Sequence, residues 1–306
     1  MTTGRTPKSI SDNDLPELFT VADRISTKGQ KRYLRLTIAD LAVLLLGALS
    51  ADIAIEGFEK VILAISAILL AAGTGFAYWL SRTAFKKSWY GGRGIAESVK
   101  SLSWRYMMRS APFAASEDND AQASVQLEAK IEELRADFAQ LLGREVIVSA
   151  EPGPVMQKVR AADLDTRKQI YLNNRLLDQK AWYIRKATTF SRLERKWYFV
   201  IVGAQALAMV VAIVMIFFEG FNFNPTGILA TVAAAALAWL QVKQYEELAQ
   251  SYQLTAQGLD EIAALLEQVS DEQQLITLAT AAEVTMSKEH GIWLIKRDQN
   301  PDLASK

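Results

Sequence analysis

Cysteine is absent from the 306-residue chain, and His290 is its only histidine. Those two facts exclude disulfides, thiol catalysis, cysteine-bound zinc and multi-histidine metal centres. Net charge is lacking too: 34 Lys+Arg balance 34 Asp+Glu. The chain as a whole therefore has no electrostatic pull toward nucleic acid, and no nucleic-acid partner is expected. No GxSxG, HExxH, Walker, Rossmann or EF-hand pattern occurs. Charge is most conspicuously missing from four stretches, Leu36–Ile55, Val61–Leu80, Trp197–Phe218 and Phe221–Val242. Together these hold only two charged residues, Asp40 and Asp52.

A helix rises about 1.5 Å per residue, so about 20 apolar residues cross the ~30 Å hydrocarbon core. Val61–Leu80 meets that length without a charge, between Lys60 and Arg82. Trp197–Phe218 meets it between Lys196 and Glu219, with aromatic residues at both ends as membrane interfaces favour. In Phe221–Val242 the strongly apolar part begins near Gly227, and Pro225 marks the first turn. Leu36–Ile55 carries its two aspartates near its ends. The competing reading, buried helices of a soluble bundle, calls for shorter and more amphipathic segments.

The blocks pair through short turns, Glu56–Lys60 and the neighbourhood of Glu219–Gly220, so each pair reads as a transmembrane hairpin. The expected fold is an all-α membrane protein: two hairpins giving four spans, long cytosolic helices, and a heptad-patterned helix after the last span. Basic residues flank the hairpins on one side: Lys28, Lys31, Arg32 and Arg35, then Arg82, Lys86, Lys87 and Arg93, then Arg185, Lys186, Arg192, Arg195 and Lys196, and finally Lys243. The turns are acidic. This asymmetry predicts an inner (cytoplasmic) membrane protein with both termini cytosolic. Met1–Thr20 has no apolar core, so no cleavable signal is expected.

Outside the spans, Ser81–Arg109 reads as a basic, aromatic helix with a hinge at Gly91–Gly94. Leu127, Ile131, Leu134, Phe138 and Leu141 recur at helical spacing, and Glu145–Ala150 suggests a short strand. Pro152 and Pro154 place a domain boundary there, which divides the chain into residues 14–150 and 151–306. After the last span a 4-3 repeat predicts one continuous helix. Its outer half is the candidate oligomer seam, Tyr245, Leu248, Tyr252, Leu259, Ile262 and Leu266. Its membrane half, Gly227, Thr231, Ala234, Ala238 and Gln241, is small or polar, and with Gln205 forms the candidate pore-lining or helix-packing set. Packing within the chain and assembly into a homo-oligomer explain the seam equally well. Asp40 is a further polar group at membrane depth. His290 reads as a pH switch or a packed residue.

Three segments carry a resemblance: Arg93–Phe113 after the first hairpin, Arg167–Trp197 before the second, and the tail with AAEVTMSKEHGIW. Together they resemble the SLATT superfamily, the SMODS- and SLOG-associating two-transmembrane effector domains of bacteria. The chain is similar to two such domains in tandem over Arg24–Lys296. The positions that match the motifs are Trp89, Arg93, Glu97, Lys100, Trp104, Trp182, Tyr183, Glu283, Glu289 and Trp293. What the resemblance implies is a pore-forming membrane effector of antiphage conflict systems. Such an effector has no catalytic residues, cofactor or metal, is triggered by nucleotide-sensing or nucleotide-generating partner proteins, and depolarises the bilayer. A membrane scaffold that recruits cytosolic partners through its helices is the alternative. A transporter fits less well, because the middle of every span lacks charge.

Overall fold

The computed structural model describes residues 9–51, 57–113, 120–139, 149–217 and 225–298, the side chains beyond 287 excepted. Among the described residues the chain is helical and without strands, and four helices are long and apolar enough to cross a membrane. The helices are α1 (Glu17–Ala51), α2 (Glu59–Arg82), α3 (Phe85–Met107), α4 (Asp120–Asp137), α5 (Pro154–Arg160), α6 (Leu164–Tyr171), α7 (Leu177–Phe217), α8 (Thr226–Lys243), α9 (Tyr245–Glu267) and α10 (Glu272–Asp298). This is the all-α membrane architecture expected. Of the expected strand, residues 145–148 lie outside the described residues, and Ser149 and Ala150 are irregular.

Two compact units share the chain. One comprises Met1–Gln30, Phe85–Arg185 and Ser251–Lys306; the other comprises Lys31–Ala84 and Lys186–Gln250. The second unit holds the four apolar stretches. In its first hairpin α1 and α2 exchange leucines for glycines. A Cβ on Gly73 would lie 2.9 Å from Leu44, and one on Gly47 would lie 3.2 Å from Leu70. Small residues of this kind let helices approach closely in lipid, where dispersion replaces the hydrophobic drive. Ser50 and Ser66 hydrogen-bond across the same contact at 2.8 Å, and each hydroxyl so removed from lipid keeps a partner. In the second hairpin Ile201 of α7 packs with Ala233 and Ala236 of α8, flanked by Trp197, Ala204 and Leu240. Trp197 and Trp239 lie 6.2 Å apart at one end.

The first unit has its own core. Ile95, Val99, Trp104 and Met107 of α3, Leu127 and Ile131 of α4, Tyr171 of α6, Leu259 and Leu266 of α9, and Leu275 and Ala279 of α10 are buried. Local chemistry sets the boundaries. Gly153 and Pro154 open α5. The Asp163 carboxylate accepts from the Thr166 amide at 2.9 Å and caps α6.

Two sequence expectations are corrected. Gly91–Gly94 is not a hinge; α3 runs straight through it, and the break falls earlier, where Thr83 is extended. The glycines serve contact instead. A Cβ on Gly92 would sit 2.8 Å from the Ala22 carbonyl oxygen and the Ser26 amide nitrogen of α1. One on Gly29 would sit 2.8 Å from the Trp89 nitrogen. The Ser26 hydroxyl donates to the Trp89 carbonyl at 2.8 Å, which fixes the crossing. Nor is the helix after the last span continuous. Gln244 adopts φ 48°, ψ 44° and separates α8 from α9.

Gly92→Leu is expected to destabilise the protein by at least the ~1–3 kcal/mol typical of overpacking, since the obstructing atoms are backbone. Gly94, with nothing within 4 Å, should accept alanine and gain up to ~1 kcal/mol. Thermal unfolding in detergent compares the two; equal melting temperatures would refute the crossing.

Candidate functional site

The membrane candidates divide by face. In α8 the buried positions are Ala233 and Ala236, turned to α7. The small and polar stripe lies elsewhere: Ala234, Gln241 and Gly227 are exposed, Ala238 and Thr231 half-buried. A Cβ on Gly227 would meet no described atom of another element within 4 Å. The Thr231 hydroxyl donates back to the Gly227 carbonyl at 2.8 Å, as a hydroxyl in a helix must when no neighbour offers an acceptor. Gln205 of α7 is exposed as well, beside the packed Ala204. The structure therefore separates Gln205 and the stripe from the α7–α8 contact. On α1, Asp40 lies beside Gly73, with one carboxylate oxygen buried and no hydrogen-bond partner among the described residues.

The seam positions are covered within the chain. Tyr245, Tyr252, Leu259 and Leu266 are buried, while Leu248 and Ile262 are half-buried. Tyr252 packs against Trp182 at 5.4 Å and Tyr183 at 5.5 Å. A Cβ on Gly258 would lie 3.3 Å from Thr285 of α10. The Lys180 ammonium pairs with Asp260. Of the two readings of the repeat, packing within the chain accounts for this burial.

Several motif positions are tethers. Lys100 donates to Asp12 at 2.8 Å and lies 5.4 Å from the Phe19 ring, which holds the start of α1 to α3. Arg93 pairs with Glu97 at 2.7 Å and reaches Asp23 at 4.0 Å. Trp89 stacks on Tyr90, and Trp104 meets Tyr171 edge-on at 5.7 Å. The side chains of Glu289, His290 and Trp293 lie outside the described residues.

Glu283 leads to the most demanding feature. Its carboxylate is fully buried and takes a bidentate pair from Arg175, Nε to Oε1 at 2.9 Å and Nη2 to Oε2 at 2.7 Å. The Tyr171 hydroxyl also donates to Oε1 at 3.1 Å. The backbone prepares this. Between α6 and α7, residues Leu172–Leu176 form a π-helical turn, in which the Leu177 amide reaches back to the Leu172 carbonyl. The Asn173 and Asn174 amides donate to the carbonyls of Gln169 and Ile170, at 2.9 and 3.1 Å. Burial would lower the Arg175 pKa, but the charge and hydrogen bonds of Glu283 more than reverse this, so the guanidinium stays charged. Burial first, then the Glu283 charge, pushes Tyr171 well above the usual phenol range.

Arg160 and Arg167 are likewise buried. Arg160 donates to Asp120 at 2.8 Å, to the Tyr106 carbonyl at 2.7 Å and to the Phe113 carbonyl at 3.1 Å. Arg167 pairs with Glu272 and donates to the Ala162 carbonyl at 3.1 Å. Sequence reasoning missed Arg160, Arg167, Arg175 and Tyr171. No local signal marked them: the helical neighbours of Tyr171 are Arg167, Lys168, Asn174 and Arg175, a face that reads as solvated. Among the described residues no group of three or more His, Asp or Glu is placed to hold a metal ion.

Comparison with known proteins follows the halves of the chain. Residues 16–168 match the family described as SMODS and SLOG-associating 2TM effector domain 3. Residues 171–293 match SMODS and SLOG-associating 2TM effector domain 1. Among curated proteins and among solved structures, nothing matches. The two matches meet near residue 170, while the compact units cut across both.

Glu283→Ala should cost ~3–5 kcal/mol, because it leaves the Arg175 guanidinium charged and unpaired in the core. Arg175→Met with Glu283→Leu should recover most of that loss, as denaturant titration would read out. The raised Tyr171 pKa has a definite sign. Its neutral form stabilises the fold fully below the unfolded phenol value of about 10. That contribution is lost as pH rises through the higher folded value. Tyr171 should therefore not ionise in native protein at pH 10.5 by absorbance at 295 nm, and Tyr171→Phe should leave the native titration unchanged.

Proposed function

Since this chain belongs to the SLATT superfamily, carrying two of its two-transmembrane effector domains in tandem, we propose that it is a non-enzymatic, pore-forming membrane effector of a bacterial nucleotide-linked conflict system, and that its activation depolarises the membrane. The observation that carries this reading is the tandem match itself, together with the four apolar helices that match contains. In this reading the protein sits in the inner membrane with both termini cytosolic, as the basic flanks of the spans favour. Its partners are nucleotide-sensing or nucleotide-generating proteins and further copies of itself.

The second hairpin supports a path for ions or water. The stripe of Gly227, Thr231, Ala234, Ala238 and Gln241 is turned away from the α7–α8 contact, and Gln205 of α7 is outward as well. Polar amides at that depth are costly against lipid and are better satisfied by another helix or by water. The small residues allow copies of α8 to approach closely.

Induced expression with the genomic neighbours should depolarise cells, as a potential-sensitive dye reports, and arrest growth. At matched membrane levels Ala234→Leu should abolish or strongly blunt both, by wedging the helices apart or blocking the path. If wild type never depolarises with its partners present, the pore reading falls and a membrane scaffold replaces it. If wild type and Ala234→Leu act alike, this stripe is not the path.

A further inference from the structure

Just before its apolar stretch, α7 carries three cations on one face. Arg192, Arg195 and Lys196 are all exposed, and with Phe199 and Val200 they line a shallow, open concavity of about 460 Å³. These five positions follow i, i+3, i+4, i+7, i+8 spacing, one side of a helix. Glu194, the nearest carboxylate in sequence, falls roughly 160° away from Lys196 at 100° per residue. Among the described residues none of the three cations has an acidic partner or an aromatic ring beneath it. Other cations flanking the spans are engaged by rings: Arg82 over Tyr78 at 5.3 Å, Lys86 over Tyr90 at 6.0 Å, and Lys243 over Trp239 at 5.7 Å. Lys28, Lys31 and Arg35 before the first span are exposed as well, so what sets Arg192, Arg195 and Lys196 apart is that they share one concavity with an apolar floor.

The depth of the concavity identifies its occupant. Trp197, beside Trp239, marks an interfacial aromatic level. Arg192 stands five residues outside it, about 7.5 Å along the axis, where headgroup phosphates lie. Phe199 and Val200 stand two and three residues inside it, where acyl chains begin. A soluble anion would use the cations and leave the apolar floor idle. A phosphodiester that carries its own hydrocarbon fills both. We infer that Arg192, Arg195 and Lys196 seat the headgroup of an acidic phospholipid, with Phe199 and Val200 against the upper part of its acyl chains. This inference rests on the membrane-spanning assignment and not on pore formation.

The test takes the full-length protein in bilayer nanodiscs of equal phosphatidylglycerol and phosphatidylcholine and counts retained lipids by native mass spectrometry. Wild type should retain phosphatidylglycerol at least ~10-fold in preference. A cation near the surface contributes about five-fold to binding of acidic lipid, so Arg195→Gln should cut the preference by about that factor. Arg192→Gln/Arg195→Gln/Lys196→Gln should abolish it. Arg82→Gln/Lys86→Gln, which removes as much charge as a pair of these, should leave it intact. The substituted side chains are exposed, and unchanged melting temperatures confirm folding; should the triple variant not fold, the single variant decides. An undiminished preference in the triple variant, or in the single variant where that one decides, overturns the proposal. An equal loss in the Arg82/Lys86 pair replaces the seat by diffuse charge. Displacement of the lipid by millimolar glycerol 3-phosphate would make it a site for free phosphate and also overturn the proposal.

Discussion

A guanidinium withdrawn from water stays charged, so its acceptors must be held where its five N–H groups point. Arg160, Arg167 and Arg175 are each about 1 % exposed, and the helices around them meet much of that demand, although Nη1 of Arg167 and of Arg175 finds no acceptor among the described residues. Arg160 binds the last turn of α3 through the Tyr106 carbonyl and the segment that follows it through the Phe113 carbonyl. Arg167 joins α6 to the first turn of α10 at Glu272. Arg175 joins the π-helical turn to the middle of α10 at Glu283. Hydrophobic contacts fill the space between these helices, and the arginines fix which helix faces which.

The two hairpins meet the lipid differently. In the first, Ser50 and Ser66 satisfy each other, and the Thr74 hydroxyl returns to the Leu70 carbonyl. Asp40 is the exception there. The second hairpin closes through tryptophan and alanine and leaves the amides of Gln205 and Gln241 outward. An effector that is inert until signalled needs surfaces that become complementary only in its active assembly. Outward amides on a helix with a small-residue stripe are surfaces of that kind, and they carry the proposed function further than any feature of the first hairpin does.

The spans were legible in the sequence because a bilayer imposes a length and forbids charge, and both can be read residue by residue. α2 begins within two residues of the expected block, and α7 continues through the expected block to Phe217. The extent of α1 was less legible: it starts at Glu17, well ahead of Leu36, since no local signal separates a charged helix from the apolar helix it becomes. Glycines in α3 misled, because the same residue type serves a hinge and a close crossing, and only the partner backbone distinguishes them. The break at Gln244 had no signal either, as glutamine is neither a turn former nor a usual left-handed residue. The buried arginines stayed hidden because a charged residue on a helix normally faces water, and their acceptors are far away in sequence. Glu283 was marked through family resemblance, while its partner Arg175 was not.

Gln244 also sets α8 apart from α7 as a mechanical part. A helix passes torsion along its axis only where its ladder of amide-to-carbonyl bonds is whole. α7 is one helix of 41 residues, about 60 Å of unbroken ladder from Leu177 to Phe217. α8 ends its ladder at a left-handed residue, and a rotation of α9 reaches that joint and is absorbed there as a change in two dihedral angles. The second hairpin thus pairs a leg whose ladder continues past the membrane stretch with a leg that ends at a joint, and the two touch across Ile201, Ala233 and Ala236.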